Sequence, residues 1–182
     1  MQTNVPEKLL LVANQIATQG QANLTKLTVL KKWFQRPGRL PAFALWLATR
    51  AISGPRKSSG EAAALFKASR ALLAKGRQSA GLDRAEAEAL YRRLCAFQNE
   101  YQNQQWGLVR IVRHWDLMLV EQALAICLWY SGSPAQGYKL AADYCQNYDS
   151  HYGNSLNGPS RKKILEIARF LRTVEAQEDE AP

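Results

Sequence analysis

The sequence predicts an all-α fold, a compact helical bundle of about seven helices forming a single domain. Three observations lead there. Apolar residues recur every three or four positions along most of the 182-residue chain, the spacing that gathers side chains on one face of a helix. Proline, glycine and Ser/Asp/Asn punctuation divides these stretches at short intervals, which suits interhelical loops. The one stretch that alternates like a strand, LVRIVRHW at 108–115, finds no second strand-like segment to pair with, and a lone strand is not stable in water.

Pro6 suits the first turn of a helix over PEKLLLVANQIATQ, closed by Gly20 as a C-cap. Leu9, Leu10, Ala13, Ile16 and Ala17 share its stripe. Asn23 caps a second helix, LTKLTVLKKWFQR, stopped by Pro37-Gly38. There Leu24, Leu27, Leu30 and Phe34 gather on one side, Lys32 and Arg36 lie opposite, and Trp33 falls off the stripe. Pro41 opens PAFALWLATRAIS, apolar on most sides and so the most buried helix of this half. Ser58 and Glu61 form a capping-box pattern ahead of EAAALFKASRALLAK, with Ala62, Leu65, Phe66, Leu72 and Leu73 inward and Lys67 and Arg70 outward.

The segment GRQSAG, 76–81, is a short interhelical loop. Asp83 and Glu86 repeat the capping grammar for a helix carrying Leu90, Leu94, Phe97 and Tyr101 inward and Arg92 and Arg93 outward. A long, mostly apolar central helix follows, from about 105 to 131. Ser133 and Pro134 start PAQGYKLAADYCQNYD, DSHYGNSLNGPS reads as a turn-rich loop, and the last helix begins near Pro159. Its stripe is Ile164, Ile167, Ala168, Leu171 and Val174. EAQEDEAP reads as a disordered acidic tail. The domain is therefore expected to comprise a basic helical half at 1–82, an aromatic-rich helical half at 83–174, and a tail at 175–182.

A chain of this length buries roughly 70% of its unfolded surface and needs no staples. Cys95, Cys127 and Cys145 are odd in number and widely spaced, which fits neither a disulfide framework nor a zinc site; they read as buried, reduced thiols of a cytoplasmic protein. The N-terminus lacks the pattern of a secretory leader, and the longest apolar runs fall short of the roughly 18 to 20 residues of a membrane span. No integral membrane span is expected.

The formal charge of +9 is unevenly distributed along the chain. Residues 1–82 hold 13 Lys/Arg against 2 Asp/Glu, and residues 83–182 hold 11 against 13. Between Glu7 and Glu61 no carboxylate appears, while nine cations do: Lys8, Lys26, Lys31, Lys32, Arg36, Arg39, Arg50, Arg56 and Lys57. Unneutralised cations repel one another in the free protein and point to an anionic partner. The expected function is accordingly a non-catalytic one: binding RNA or DNA by its backbone, in a structural or regulatory role within a nucleoprotein assembly. The candidate contact residues are Lys26, Lys31, Lys32, Trp33, Arg36, Arg39, Arg56 and Lys57, with the Trp33 ring as a stacking platform and Arg36 and Arg39, flanking Pro-Gly, as the first choices for phosphate. The rival reading is a protein-interaction or assembly factor that docks an acidic partner protein.

Other readings are weaker. GPRKSSG lacks the Gly-Lys-Ser/Thr ending of a phosphate-binding loop and follows a helix where that motif follows a strand. A helix-turn-helix reading of residues 16–34 fails in register. A cationic helix on an anionic bilayer is disfavoured because the most apolar helix is not the most basic. His114 lies near Arg110 and Arg113, and Asp149 with His151 is a lone Asp-x-His, so an enzyme using that pair ranks third. Asp116 is expected to pair with Arg113 inside the apolar helix, and Glu121 needs a partner there too. Nothing in the sequence calls for a cofactor or a metal. A small, basic, helical chain of this kind is similar in character to helical subunits of nucleoprotein assemblies, including those of CRISPR effector complexes; the similarity assigns no residue.

Overall fold

The computed structural model describes residues 4–19, 24–53, 60–78, 81–103, 115–129, 133–148 and 155–180. Within them the fold is an all-α bundle with one short antiparallel ribbon. The chain divides into two compact units, Met1–Arg36 with Pro134–Tyr148 and Ser155–Pro182, and Pro37–Ser133 with Asp149–Asn154. The division does not fall at the charge switch before Asp83, because the helices on either side of that point share one unit.

In the first unit, α1 (Val5–Gln19) starts one residue earlier than its proline suggests. Asn4 caps it, its Oδ1 accepting from the Glu7 N–H at 3.2 Å. Buried Val5, Leu9, Val12 and Ala13 form its inner face, and Ala17 is exposed. The next segment is not one helix: Leu24–Val29 is a 3-10 helix and only Leu30–Trp33 is α2. Then α7 (Pro134–Cys145) leads through β1 (Gln146–Tyr148) and β2 (Ser155–Pro159) into α8 (Arg161–Asp179). β1 lies where the end of a helix was expected and β2 where a loop was expected. Strands of three and five residues are too short to show alternation, and their pairing sets Gln146 opposite Pro159 and Tyr148 opposite Ser155. The Ser160 N–H donates to the Cys145 carbonyl at 2.7 Å, while the Ser160 hydroxyl caps α8. Buried Ile164, Ile167, Ala168 and Leu171 of α8 form the face that packs along α1.

The tail expected to be disordered continues α8 through Asp179 instead. Glu175 and Glu178 find cationic or donor partners on the N-terminal segment, and such contacts hold a helix end that would otherwise fray.

The second unit comprises α3 (Arg39–Ala51), α4 (Gly60–Gln78), α5 (Arg84–Asn103) and α6 (Trp115–Leu128). Gly38 precedes α3 at φ 81°, a left-handed conformation that glycine adopts without a Cβ penalty. Because α3 begins at Arg39, Pro41 is its third residue rather than its first; its missing N–H falls in the first turn, where no intrahelical acceptor exists. The Arg70 Nε donates to the Ile52 carbonyl at 2.9 Å, satisfying the carbonyl end of α3 with a cation. Asp83 caps α5 as expected, its Oδ1 accepting from the Glu86 N–H at 2.9 Å. α6 is apolar all round and packs against α3, α4 and α5 at once, as its composition requires. Its predicted N-terminal extension lies outside the described residues.

α2 and α7 pack together, and Gly137 of α7 lies against Phe34, the residue that closes α2. An ideal Cβ on Gly137 would stand 2.4 Å from the Phe34 ring. Gly137→Ala is therefore expected to destabilise the protein by about 1–3 kcal/mol through overpacking, read as a lower denaturant midpoint at unchanged slope.

Candidate functional site

The lysine-bearing segment from Leu24 to Arg36 is held by its apolar side. Leu27, Leu30, Trp33 and Phe34 are buried, whereas Lys26, Lys31, Lys32 and Arg36 are exposed. The 3-10 start explains why Trp33 joins the buried side. At three residues per turn Leu27 and Leu30 eclipse one another, which moves the stripe toward Trp33 relative to the phase of a continuous α-helix.

Trp33 is 1% exposed. Its Nε1–H donates to Glu175 Oε1 at 2.9 Å, and its ring meets Phe34 and Phe170 edge-on. A ring enclosed in this way presents no face to a base, so the stacking platform expected of Trp33 is corrected to a core anchor. Arg39 is corrected likewise. It is 5% exposed, at the start of α3, and its guanidinium is withdrawn from any phosphate in solution. Arg36 is exposed and pairs with Glu178, Nη1 to Oε2 at 2.9 Å. With both side chains substantially solvated, that pair contributes about 0–1 kcal/mol and is readily exchanged.

Lys26 donates to the side-chain carbonyl of Gln15, a neutral partner that leaves its charge intact. Lys31 Nζ lies 5.2 Å from the Tyr138 ring centroid. Lys32 is exposed. Among the described residues none of these three lysines forms an ion pair with a carboxylate. Arg56, Lys57 and Ser58 lie outside the described residues, as do Arg113, His114, Asp149 and His151. The Glu61 carboxylate reaches Arg93 at 2.7 Å.

The charge asymmetry of the sequence does not survive folding. The first unit holds 11 Lys/Arg against 7 Asp/Glu and the second 13 against 8, net +4 and +5. The acidic C-terminal residues belong to the same unit as the basic N-terminal segment.

Other constellations offer little chemistry. Among the described residues no group of three or more His, Cys, Asp or Glu could hold a metal ion. Burial pushes the Cys127 thiol up to about 11 and the Cys145 thiol up to about 12, and it raises Cys95 as well. These thiols stay protonated at neutral pH, and the thiolate is the nucleophile. A groove of about 490 Å³ between α4 and α5 has a floor of Ala68, Ala71, Leu72, Ala89 and Leu90. Its rim charges are already matched, Lys75 to Glu86 at 2.5 Å and Arg93 to Glu61. No family model, curated protein or solved structure matches this chain. No helix among the described residues is long and apolar enough to cross a membrane.

Glu121 on α6 takes Cys95 as its partner, accepting from Sγ at 3.5 Å, and burial raises its carboxyl above the usual range. The folded state then binds more protons than the unfolded state between the ordinary and the raised value, so stability declines as pH rises through that window. Glu121→Gln is expected to raise the melting temperature at neutral pH, with the gain vanishing below the ordinary carboxylate range; melts across a pH series check it. Glu175→Ala, which strips an acceptor from the buried Trp33 indole, is expected to cost about 1–3 kcal/mol in denaturant titrations, and Glu175→Gln, which keeps a carbonyl there, less.

Proposed function

We propose that this chain is a non-catalytic nucleic-acid-binding protein, structural or regulatory within a nucleoprotein assembly. It holds RNA or DNA by the phosphate backbone through Lys26, Lys31 and Lys32, with Arg36 recruited from its ion pair. The observation that carries this reading is the segment itself: three exposed lysines within seven positions, without a carboxylate partner among the described residues, on a backbone fixed by a buried opposite side. Cations on a fixed backbone give up counterions when they meet phosphate and lose little backbone freedom in doing so. The formal charge of +9 adds long-range attraction for a polyanion. Three cysteines without disulfide partners among the described residues suit a reducing cytoplasm.

A second reading rests on the α8 contacts. Glu175 on Trp33 and Glu178 on Arg36 set a carboxylate-bearing helix against this segment, and an acidic partner protein would offer the same groups.

Binding of the purified chain to labelled single-stranded RNA and duplex DNA over a salt series tests the first reading. Four phosphate contacts predict a log–log salt slope of about −3 to −3.6. The double substitution Lys31→Gln/Lys32→Gln should make it shallower by about 1.5 to 2. Absence of binding at low salt removes this reading and leaves the acidic protein partner.

A further inference from the structure

We infer that Tyr138, with Lys31 beside it, is a base-stacking subsite that directs this protein to single-stranded rather than duplex nucleic acid; the inference rests on the nucleic-acid reading above. Among the described rings of the first unit, Trp33, Phe34 and Tyr144 are buried, and Phe170 packs against Trp33. Tyr138 is half-buried on α7. Its position is fixed by its neighbours: Gly137 is pressed against Phe34, and Leu140 and Ala141 are buried. α7 therefore has little room to slide or roll against α2, and the ring keeps its place beside the lysine segment.

The two groups suit the two parts of one nucleotide. Lys31 Nζ, 5.2 Å from the ring centroid, carries a charge for phosphate, and the ring offers a flat apolar face for a base. A lysine over a partly exposed tyrosine is weakly held. When a strand arrives the ammonium transfers to a phosphate oxygen and the ring becomes available to a base. Exposed Lys32 follows Lys31 in its segment, and exposed Lys139, within Coulombic reach of the Asp143 carboxylate, follows Tyr138 on α7. In a duplex the base faces are covered by their neighbours, so a ring of this kind gains nothing there; on a single strand it stacks without regard to sequence.

The test measures anisotropy of a labelled unstructured single-stranded RNA and of a labelled DNA duplex with the full chain and its variants, each checked for an intact thermal melt. Tyr138→Ala is expected to weaken single-strand binding about 5- to 100-fold with its salt slope unchanged and duplex binding unaffected. Tyr138→Leu, which keeps apolar bulk without a π face, should behave as the alanine variant does, and Tyr138→Phe as the parent. Lys31→Gln should weaken both ligands and lower the slope. Single-strand affinity untouched in the alanine and leucine variants, while Lys31→Gln still weakens binding, overturns the subsite and leaves the phosphate surface standing. Equal losses on both ligands also overturn it, since they mark a packing role. Absence of binding by the parent chain to either ligand overturns the subsite together with the reading it rests on.

Discussion

Burial of Trp33 is the constraint on which the N-terminal unit depends. The indole is enclosed by Phe34 and Phe170 and donates to Glu175, so one side chain ties the lysine segment to the last helix. A buried indole N–H needs an acceptor, and that need explains why a stretch of acidic composition near the C-terminus is a helix with partners. Once Trp33 is seated, Lys31 and Lys32 on the preceding turn face solvent and Phe34 lies on Gly137. The positions of the cations follow from the position of the tryptophan.

The same contacts alter the electrostatics. The acidic end of α8 returns to the basic segment, and Glu178 screens Arg36. Among the described residues, Lys26, Lys31 and Lys32 stay without a carboxylate partner, with Tyr138 next to Lys31. On the nucleic-acid reading proposed above, a basic surface of four groups gives modest, salt-sensitive affinity. An aromatic contact adds affinity that salt does not remove.

The second unit is built on a different principle. α6 has no polar side to offer solvent and is surrounded by α3, α4 and α5. Its cost is a half-buried carboxylate, Glu121, held by a thiol hydrogen bond from Cys95. Inter-helix ion pairs at the surface, Arg93 to Glu61 and Lys75 to Glu86, tie α4 to α5 while remaining solvated. Pairs of that kind contribute little individually, so the stability of this unit comes from its apolar interior.

The sequence by itself determined the helical class, the Asp83 cap and most core faces, because these are local: that cap, the stripe of Ala62, Leu65, Phe66, Leu72 and Leu73, and the α8 positions Ile164, Ile167, Ala168 and Leu171 are written in consecutive residues. It did not determine the 3-10 start at Leu24–Val29, which reset the phase of the wheel and concealed Trp33, nor the short ribbon at 146–159, whose strands are too brief for a period. Charge counted along the chain also misled. Glu175 and Glu178 stand 142 positions from Trp33 and Arg36 and yet touch them. In the sequence, Tyr138 is one of several tyrosines of the C-terminal half. Its place beside Lys31 comes from the packing of α7 on α2, where Gly137 admits Phe34. Local pattern sets which side of a helix is apolar, but only close packing of segments distant in the chain decides which charges meet and which face water.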